Sequence, residues 1–468
     1  MMKKEKFYLG IDLGTSAAKA VARNREGLSF KAKQAYAEET PGGWLEAVRQ
    51  LISQLKKDLP GEIVALSFSS QVGTYVVNGT DVISWRSDVG STELAQVKQI
   101  VSDAEFVESI GMKHPDLISY PLPRLLCIQK HYGANAKVVM PKELLVEALT
   151  GRCVTDIFSM RGIAHPKTEQ YATALMKKLG ITLALPALKR PTDLAGFVTA
   201  QAAIEFGLPA GIPVYLGCND FFAGLLGMGA YATDDAFDLS GTSEHIGYIS
   251  DDLNPTGFVS GHFFNGFCTY GGTKASGASC DLAIDNFGID GINLIEILCH
   301  KPPVFLPYLT GERAPIFDEN ARGVFFGLNE KADRKSFAYA TLEGVVFSLY
   351  HIGESMTMPK PKRLICGGGS ARNSLMNTLR ATLFDCETVC VSENDTSALG
   401  ACMLAMVGDG VYADIRTAIA DCVQYLPGGK PCGELREVLL KRFAVYKTLY
   451  QDLKDTFVTF NTIEKEQK

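Results

Sequence analysis

Apolar and polar positions alternate over residues 1–36, which predicts a meander of strands. Over residues 43–59 the apolar positions Leu45, Val48, Leu51, Ile52 and Leu55 fall instead at helical spacing. The chain thus opens as βββα. Residues 63–69 form an apolar run of strand length that ends in the polar triplet Ser69, Ser70, Gln71, a place where a small polar ligand can be met. After a helical region, a second buried strand over 214–218 ends at Asn219 and Asp220. New strands begin near Ala230, followed by a Gly/Ser cluster over 271–277. A turn at 332–334 precedes a helix carrying Phe337, Ala340, Thr341, Val345, Leu349 and His351. A strand over 363–366 runs into Gly367-Gly368-Gly369-Ser370, with a helical stretch behind it.

Two short passages repeat half a chain apart: Asp12-Leu13-Gly14-Thr15-Ser16 and Asp238-Leu239-Ser240-Gly241-Thr242-Ser243. Each lies between apolar runs and reads as strand, tight Gly turn, strand. Such turns leave backbone N–H groups and hydroxyls uncovered, which is what a phosphate chain requires. The simplest reading is two related α/β domains facing one nucleotide; a chance match of turn-prone residues is the alternative. The chain's 468 residues agree with the duplication, because one hydrophobic core rarely serves so many. No Pro- or Ser-rich linker separates the halves, so a tight shared cleft is expected.

Composition narrows the partners. With 46% hydrophobic and 21% charged residues and a net charge of −6, the chain offers no electrostatic reason to bind nucleic acid. The basic first residues lack the long apolar stretch of a signal peptide, so no membrane partner and a cytoplasmic location are expected. The twelve cysteines are scattered, mostly in apolar or Gly-rich runs, and read as buried thiols. Cys386 and Cys390, the nearest pair, have no accompanying pair or His cluster to make a zinc site. None of the seven histidines sits in a recognisable nucleophile setting.

Three positions carry the candidate chemistry. Asp12, at the strand end of the first Gly turn, can hold Mg²⁺ beside phosphates, or simply cap the turn. Lys19 can neutralise a transferred phosphoryl group, or be a solvated side chain. Asp220, ending an apolar strand between Asn219 and Phe221, is suited to take a proton from a hydroxyl, though Asp also favours the N-cap of a helix such as the one starting at Phe222. The Gly367–Gly368–Gly369 turn lets a base or ribose approach the backbone. No Walker loop and no Gly-x-Gly-x-x-Gly opening a first helix is present, which argues against P-loop and Rossmann folds.

At residues 8–22, 207–220, 305–315, 320–328, 367–370 and 397–401 the chain resembles the FGGY family of carbohydrate kinases, whose members include xylulose, glycerol and gluconate kinases of the actin-like ATPase superfamily. The resemblance implies an α/β fold of two RNase-H-like domains, with a catalytic cleft between them. The N-terminal one, 1–229, would hold the sugar site and the base, and the C-terminal one, 230–460, the nucleotide. It further implies ATP with Mg²⁺ and transfer of the γ-phosphate to a hydroxyl of a small sugar, sugar acid or polyol. Asp12 would meet the metal; Gly14, Thr15, Ser16 and Lys19 the phosphates; Asp220 would be the base and touch the substrate. Gly241 and Thr242 would form the second phosphate loop, Gly272 would line the nucleotide site, and Gly369 with Asn373 would approach the adenosine. Gln71 and Trp85 fall where the family contacts its sugar. A homodimer is among the assemblies left open.

Departures cluster at the sugar contacts. The family's xylulose kinases resemble Ser-Gly-Gln-Met-His-Gly where this chain has Ser69-Ser70-Gln71-Val72-Gly73-Thr74, so Gly73 replaces a His. The Trp-Asn-Asp pattern becomes Trp85-Arg86-Ser87-Asp88, and Thr378 and Thr382 stand where Gln and Asp are usual. The expectation is therefore a kinase of uncommon sugar specificity and a poor xylulose kinase, with space vacated beside Gly73 and the cation of Arg86 admitting a longer or anionic sugar. A catalytically silent sugar or nucleotide sensor, and an actin- or Hsp70-like ATPase acting on protein partners, are the competing readings; retention of Asp12, Lys19 and Asp220 argues against the sensor.

Overall fold

The computed structural model describes residues 5–114, 117–241, 244–254 and 258–466, with side chains to residue 463. Cα packing divides the chain into two units. The first is Met1–Tyr231 with Gly261–Phe263 and Asp395–Val423; the second is Ala232–Ser260, Phe264–Asn394 and Gln424–Lys468. The sequence reading ends the first domain at 229 and leaves residues 395–423 in the second. Packing instead returns that late segment, with its helix Thr396–Gly408, to the first unit. Nothing in a helix's own periodicity reports which sheet it will cover.

The first unit is built on a seven-stranded sheet. β1 (Lys6–Leu13), β2 (Ala17–Arg23) and β3 (Ser29–Ala35) form the predicted antiparallel meander. β4 (Glu62–Ser70) lies parallel to β1 on its other side. Beyond it come β5 (Leu194–Phe197) and β6 (Pro213–Tyr215), with β6 parallel to β4 and β5 antiparallel to β6. The expected strand over 214–218 is interrupted at Leu216-Gly217, and its continuation β7 (Cys218–Asn219) pairs with the end of β4. The helix Pro41–Asp58 starts on Thr40, whose hydroxyl accepts from the Gly43 N–H at 3.1 Å, and buries Trp44, Ala47, Val48, Leu51, Ile52 and Leu55. The helices Asp220–Met228 and Thr396–Gly408 cross at paired glycines. A Cβ on Gly400 would lie 1.9 Å from the Ala223 carbonyl oxygen, and one on Gly227 1.9 Å from that of Thr396, so only glycine permits this approach.

The second unit repeats the plan. β8 (Asp235–Ser240), β9 (Glu244–Ser250), β10 (Val259–Phe263, of which Val259 and Ser260 belong to this unit), β11 (Gly266–Thr273), β12 (Arg363–Gly368), β13 (Glu387–Val391) and β14 (Tyr425–Pro427) form one sheet in the order β10-β11-β9-β8-β12-β13-β14. Around β8, as around β1, an antiparallel three-strand meander (β8-β9-β11) lies on one side. Two parallel strands and an antiparallel edge strand lie on the other. The strands that flank the two passages of the sequence repeat thus pair as the same hairpin of two like sheets. The long apolar helix expected behind 332–334 is Arg334–Ser355, capped by Asp333, whose carboxylate accepts from the Ser336 N–H at 2.8 Å. It packs with Gly433–Glu466 around Leu342, Phe347, Phe443 and Tyr446. No described helix is long and apolar enough to cross a membrane.

Candidate active site

In the first unit, the register of the sheet brings the candidate carboxylates to one end of its strands. Asp12 lies opposite Lys19 on β2 and Ser69 on β4, while Ser69 lies opposite Cys218 on β7. Neighbouring strands are about 4.8 Å apart, so this row places Asp220, two residues past Cys218, at the same end of the sheet as Asp12. Asp12 is buried, and its Oδ1 accepts from the Ser69 hydroxyl at 2.8 Å. Burial pushes its carboxyl up to about 6; the Ser69 bond and Lys19 pull against that, and the charge of Asp395 adds to it. Lys19 Nζ itself pairs with Asp395 at 3.0 Å. Gly14, Thr15 and Ser16 form the turn between β1 and β2, open at Ser16, with the Gly14 N–H bonded to the Ala17 carbonyl at 3.2 Å.

Asp220 is the first residue of the helix Asp220–Met228, but it does not cap it. Asn219 does so, accepting from the Phe222 N–H at 2.9 Å while its amide donates to the Phe158 carbonyl at 3.0 Å. Asp220 Oδ1 accepts from the N–H of Phe221 at 2.8 Å, and the Ser397 hydroxyl holds the Asp220 carbonyl at 2.9 Å. Its surface is partly open. Desolvation first, then the negative charge of Asp12, pushes its carboxyl up to about 7 against the Phe221 N–H and Arg161. Arg161 is buried, its guanidinium 4.9 Å from the ring centre of Phe222 and 5.5 Å from that of Tyr120. Of the residues gathered here, the sequence points to Ser69 only as part of the polar triplet and to Ser397 only within the segment 397–401, with no role for either, and it does not point to Arg161, which has no motif around it.

The two sugar-contact candidates are held differently. Gln71 is buried beside the first turn, its N–H on the Leu13 carbonyl at 3.1 Å. Trp85 sits on a loop whose backbone N–H bonds the buried Thr74 hydroxyl at 3.1 Å. Beneath that loop the fully buried Arg124 donates to Ser84 O (3.1 Å), Ser87 O (2.9 Å) and Ser87 Oγ (2.8 Å). Two expectations fail here. The place beside Gly73 is not vacant: its φ is +82°, and a Cβ would lie 2.8 Å from the Ser119 Cβ and 2.9 Å from its carbonyl oxygen. Nor is the Arg86 cation waiting for an anion, since its Nη2 pairs with Glu39 at 2.6 Å.

In the second unit Gly241 is an exposed turn residue after β8, and Thr242 lies outside the described residues. Gly272 is not in a loop but on β11, opposite His245, and a side chain there would meet that imidazole at 2.9 Å. Gly369 has ordinary helical φ and ψ, and a Cβ on it would find nothing within 4 Å, so its face is open. Asn373 caps the helix Ser374–Phe384, accepting from the Met376 N–H at 3.0 Å. Asp238, the counterpart of Asp12 in the repeat, is buried in an ion pair with the fully buried Arg380 (Nε to Oδ2 2.5 Å), and burial holds its carboxyl well above the usual range. The same motif therefore presents a hydroxyl-held carboxylate in one unit and an arginine-paired one in the other.

Residues 7–227 match the N-terminal domain, and residues 240–408 the C-terminal domain, of the "FGGY family of carbohydrate kinases". Among curated relatives, a xylulose kinase of Lactococcus lactis subsp. lactis (strain IL1403) is 28% identical across 97% of this chain and 99% of its own length. A gluconokinase of Bacillus subtilis (strain 168) is 25% identical across 89% of this chain and 90% of its own. Among solved structures, a gluconate kinase from Lactobacillus acidophilus superposes with a TM-score of 0.84 at 24% identity, covering 97% of this chain and 100% of that one. At that identity the likeness fixes the fold alone.

Proposed function

Because this chain belongs to the FGGY family of carbohydrate kinases, we propose that it transfers the γ-phosphoryl group of ATP, as its Mg²⁺ complex, to a hydroxyl of a ketose or sugar acid in the size range of xylulose and gluconate. The reading rests on one observation above the rest: two buried or part-buried carboxylates, Asp12 and Asp220, share one end of a sheet, both pushed up by burial, and the charge of Asp12 raises the proton affinity of Asp220 further. Phosphoryl transfer asks little covalent chemistry of a protein beyond a base, a cation and donors around the phosphates. Asp220, poised at about 7, accepts the proton of the sugar hydroxyl as that oxygen bonds to the γ-phosphorus and the bond to the bridging oxygen of ADP breaks.

A divalent cation fits beside Asp12, whose buried negative charge is only partly offset by Ser69 and Lys19; there it would neutralise phosphate oxygens. Thr15 and Ser16 offer donors, Gly14 keeps the turn free of a side chain, and Lys19 adds positive charge. Gly241, Gly272, Gly369 and Asn373 are assigned to the nucleotide, Gly369 because its open face leaves room for a flat ligand. Gln71 and Trp85 are assigned to the sugar. The names of the relatives favour a pentulose or an aldonic acid, and the ion-paired Arg86 gives no reason to prefer the acid.

The test is ADP release measured over a panel of D-xylulose, D-gluconate, longer ketoses and alditols. The expected result is turnover that depends on one or a few of these acceptors. Hydrolysis that ignores the acceptor, or ATP binding with no turnover on any of them, would overturn the reading in favour of a conformational ATPase or a sensor.

A further inference from the structure

Behind the nucleotide turns of the second unit lies a polar network that the phosphoryl-transfer chemistry does not use. Arg380, on the helix Ser374–Phe384, is fully buried. Its Nε meets Asp238 on β8 at 2.5 Å, and its Nη2 meets Glu244, the first residue of β9, at 2.7 Å. The same Nη2 donates to the Ser370 hydroxyl at 2.5 Å, and Nη1 to Asn377 Oδ1 at 3.1 Å. Glu244, also fully buried, collects three donors: Arg380, the Ser370 hydroxyl at 2.7 Å and, on its other oxygen, the Ser276 hydroxyl at 2.6 Å. A further link runs directly between turns: the Ser370 N–H donates to Ser240 Oγ at 3.0 Å, and Ser240 Oγ donates to the Gly367 carbonyl at 2.9 Å. Gly368, at φ +84°, presses on β8 so closely that a Cβ would lie 1.9 Å from the Ser240 carbonyl oxygen.

Two features of this network point away from simple core stabilisation. A buried ion network is a poor stabiliser, because desolvation takes back most of what Coulomb attraction supplies, and apolar side chains would fill the same volume at less cost. Its ends, moreover, are not scattered. Ser240 and Glu244 flank the β8–β9 turn, Ser370 closes the glycine turn, and Ser276 stands immediately before the helix Gly277–Asn286. A planar guanidinium with fixed donor directions sets the spacing of whatever it bridges more tightly than apolar contact does.

We propose that Arg380 and Glu244 are positioning residues for ATP: through Ser370 and Ser240 they fix the end of β8, the start of β9 and the Gly367–Ser370 turn at the separation the nucleotide requires. The proposal rests on reading those turns as the nucleotide site. It places selectivity for ATP geometry in side chains that never touch ATP.

The test separates affinity for ATP from folding and from chemistry. Ser370→Ala removes the hydroxyl link from Glu244 and Arg380 to the turn, leaving only the long Arg380 Nη1 bond to the residue 370 carbonyl (3.4 Å), without stranding a charge, and Glu244→Gln leaves Arg380 in a one-to-one pair with Asp238. In both, KM for ATP should rise 5-fold or more while kcat and the KM of the sugar stay within 2-fold. Arg380→Met should show a larger rise if it folds, but the proposal does not depend on it. Gly369→Val is the control for the nucleotide reading, since a side chain there meets no protein atom and should raise KM for ATP by 10-fold or more. If that control behaves so while Ser370→Ala and Glu244→Gln leave KM for ATP unchanged, or lower Tm and kcat without moving it, the positioning role is wrong. If Gly369→Val also leaves KM for ATP unchanged, the nucleotide reading itself fails.

Discussion

At the scale of single residues, one side chain's environment decides its chemistry. Burial beside another carboxylate pushes the Asp220 carboxyl up to about 7, so it is a stronger base than a solvated Asp and still about half ionised at pH 7. Asp220→Asn keeps the shape and removes the base. It should lower kcat by about 10²-fold or more while ATP and sugar still bind, measurable by steady-state kinetics beside calorimetry. In the unaltered enzyme kcat/KM should fall about tenfold per pH unit below pH 7, and a flat profile down to pH 5 would remove Asp220 from the role. Gly73 is the opposite case, a residue defined by what cannot stand there. Its left-handed backbone and the Ser119 backbone beside it exclude an imidazole, so Gly73→His should not build a xylulose-kinase contact. It should cost about 1–2 kcal/mol from the backbone alone, with the clash adding to it, and lower xylulose turnover. Urea denaturation and xylulose kinetics on the variant would reveal the opposite if His can be seated.

At the scale of elements, the close crossing of Asp220–Met228 over Thr396–Gly408 connects packing to the proposed base, because the second helix carries Ser397, whose hydroxyl fixes the Asp220 carbonyl. Gly400→Ala should gain helix propensity yet destabilise the protein by about 1–3 kcal/mol, since a methyl group cannot sit 1.9 Å from a carbonyl oxygen. It should also depress kcat more than either KM by displacing Asp220; a variant that is more stable and fully active would show that the two helices move apart freely. This contact was not legible in the sequence. Period and turn chemistry disclosed the opening meander, the Pro41–Asp58 helix, the Asp333-capped helix and the two Gly turns, because each is set by its own few residues. The return of residues 395–423 to the first unit, the break at Leu216-Gly217 and the Arg380 network depend on partners more than a hundred residues away or on one φ angle, and local pattern carries neither. At the site, Asp12 and Asp220 were legible because a carboxylate ending an apolar strand is locally anomalous. Arg161, Arg124 and Ser397 gain their meaning only from what surrounds them.

At the scale of the whole molecule, the buried carboxylates proposed for catalysis cost stability, and the sign of that cost can be worked out. Asp12 and Asp220 both have folded-state affinities for protons above those of the unfolded chain, about 6 and about 7 against an unfolded value near 3.9. Below about pH 4 both groups are protonated in either state, and the stabilisation from the raised values is fully present. Between about pH 4 and pH 7 the unfolded chain has already released these protons while the folded chain still holds them, so ionisation draws the equilibrium towards unfolding and that contribution is lost. Above pH 7 two like charges sit together with little solvent. The nucleotide-free protein should therefore lose Tm between pH 5 and pH 8 more steeply than the double variant Asp12→Asn, Asp220→Asn, in which neither group titrates. Mg²⁺ should recover part of that loss at pH 8 in the unaltered protein and none in the double variant, because a cation beside Asp12 relieves the repulsion that burial leaves. Thermal melts of both proteins at the two pH values, with and without Mg²⁺, settle the matter, and equal slopes would mean that these carboxylates carry no excess proton affinity.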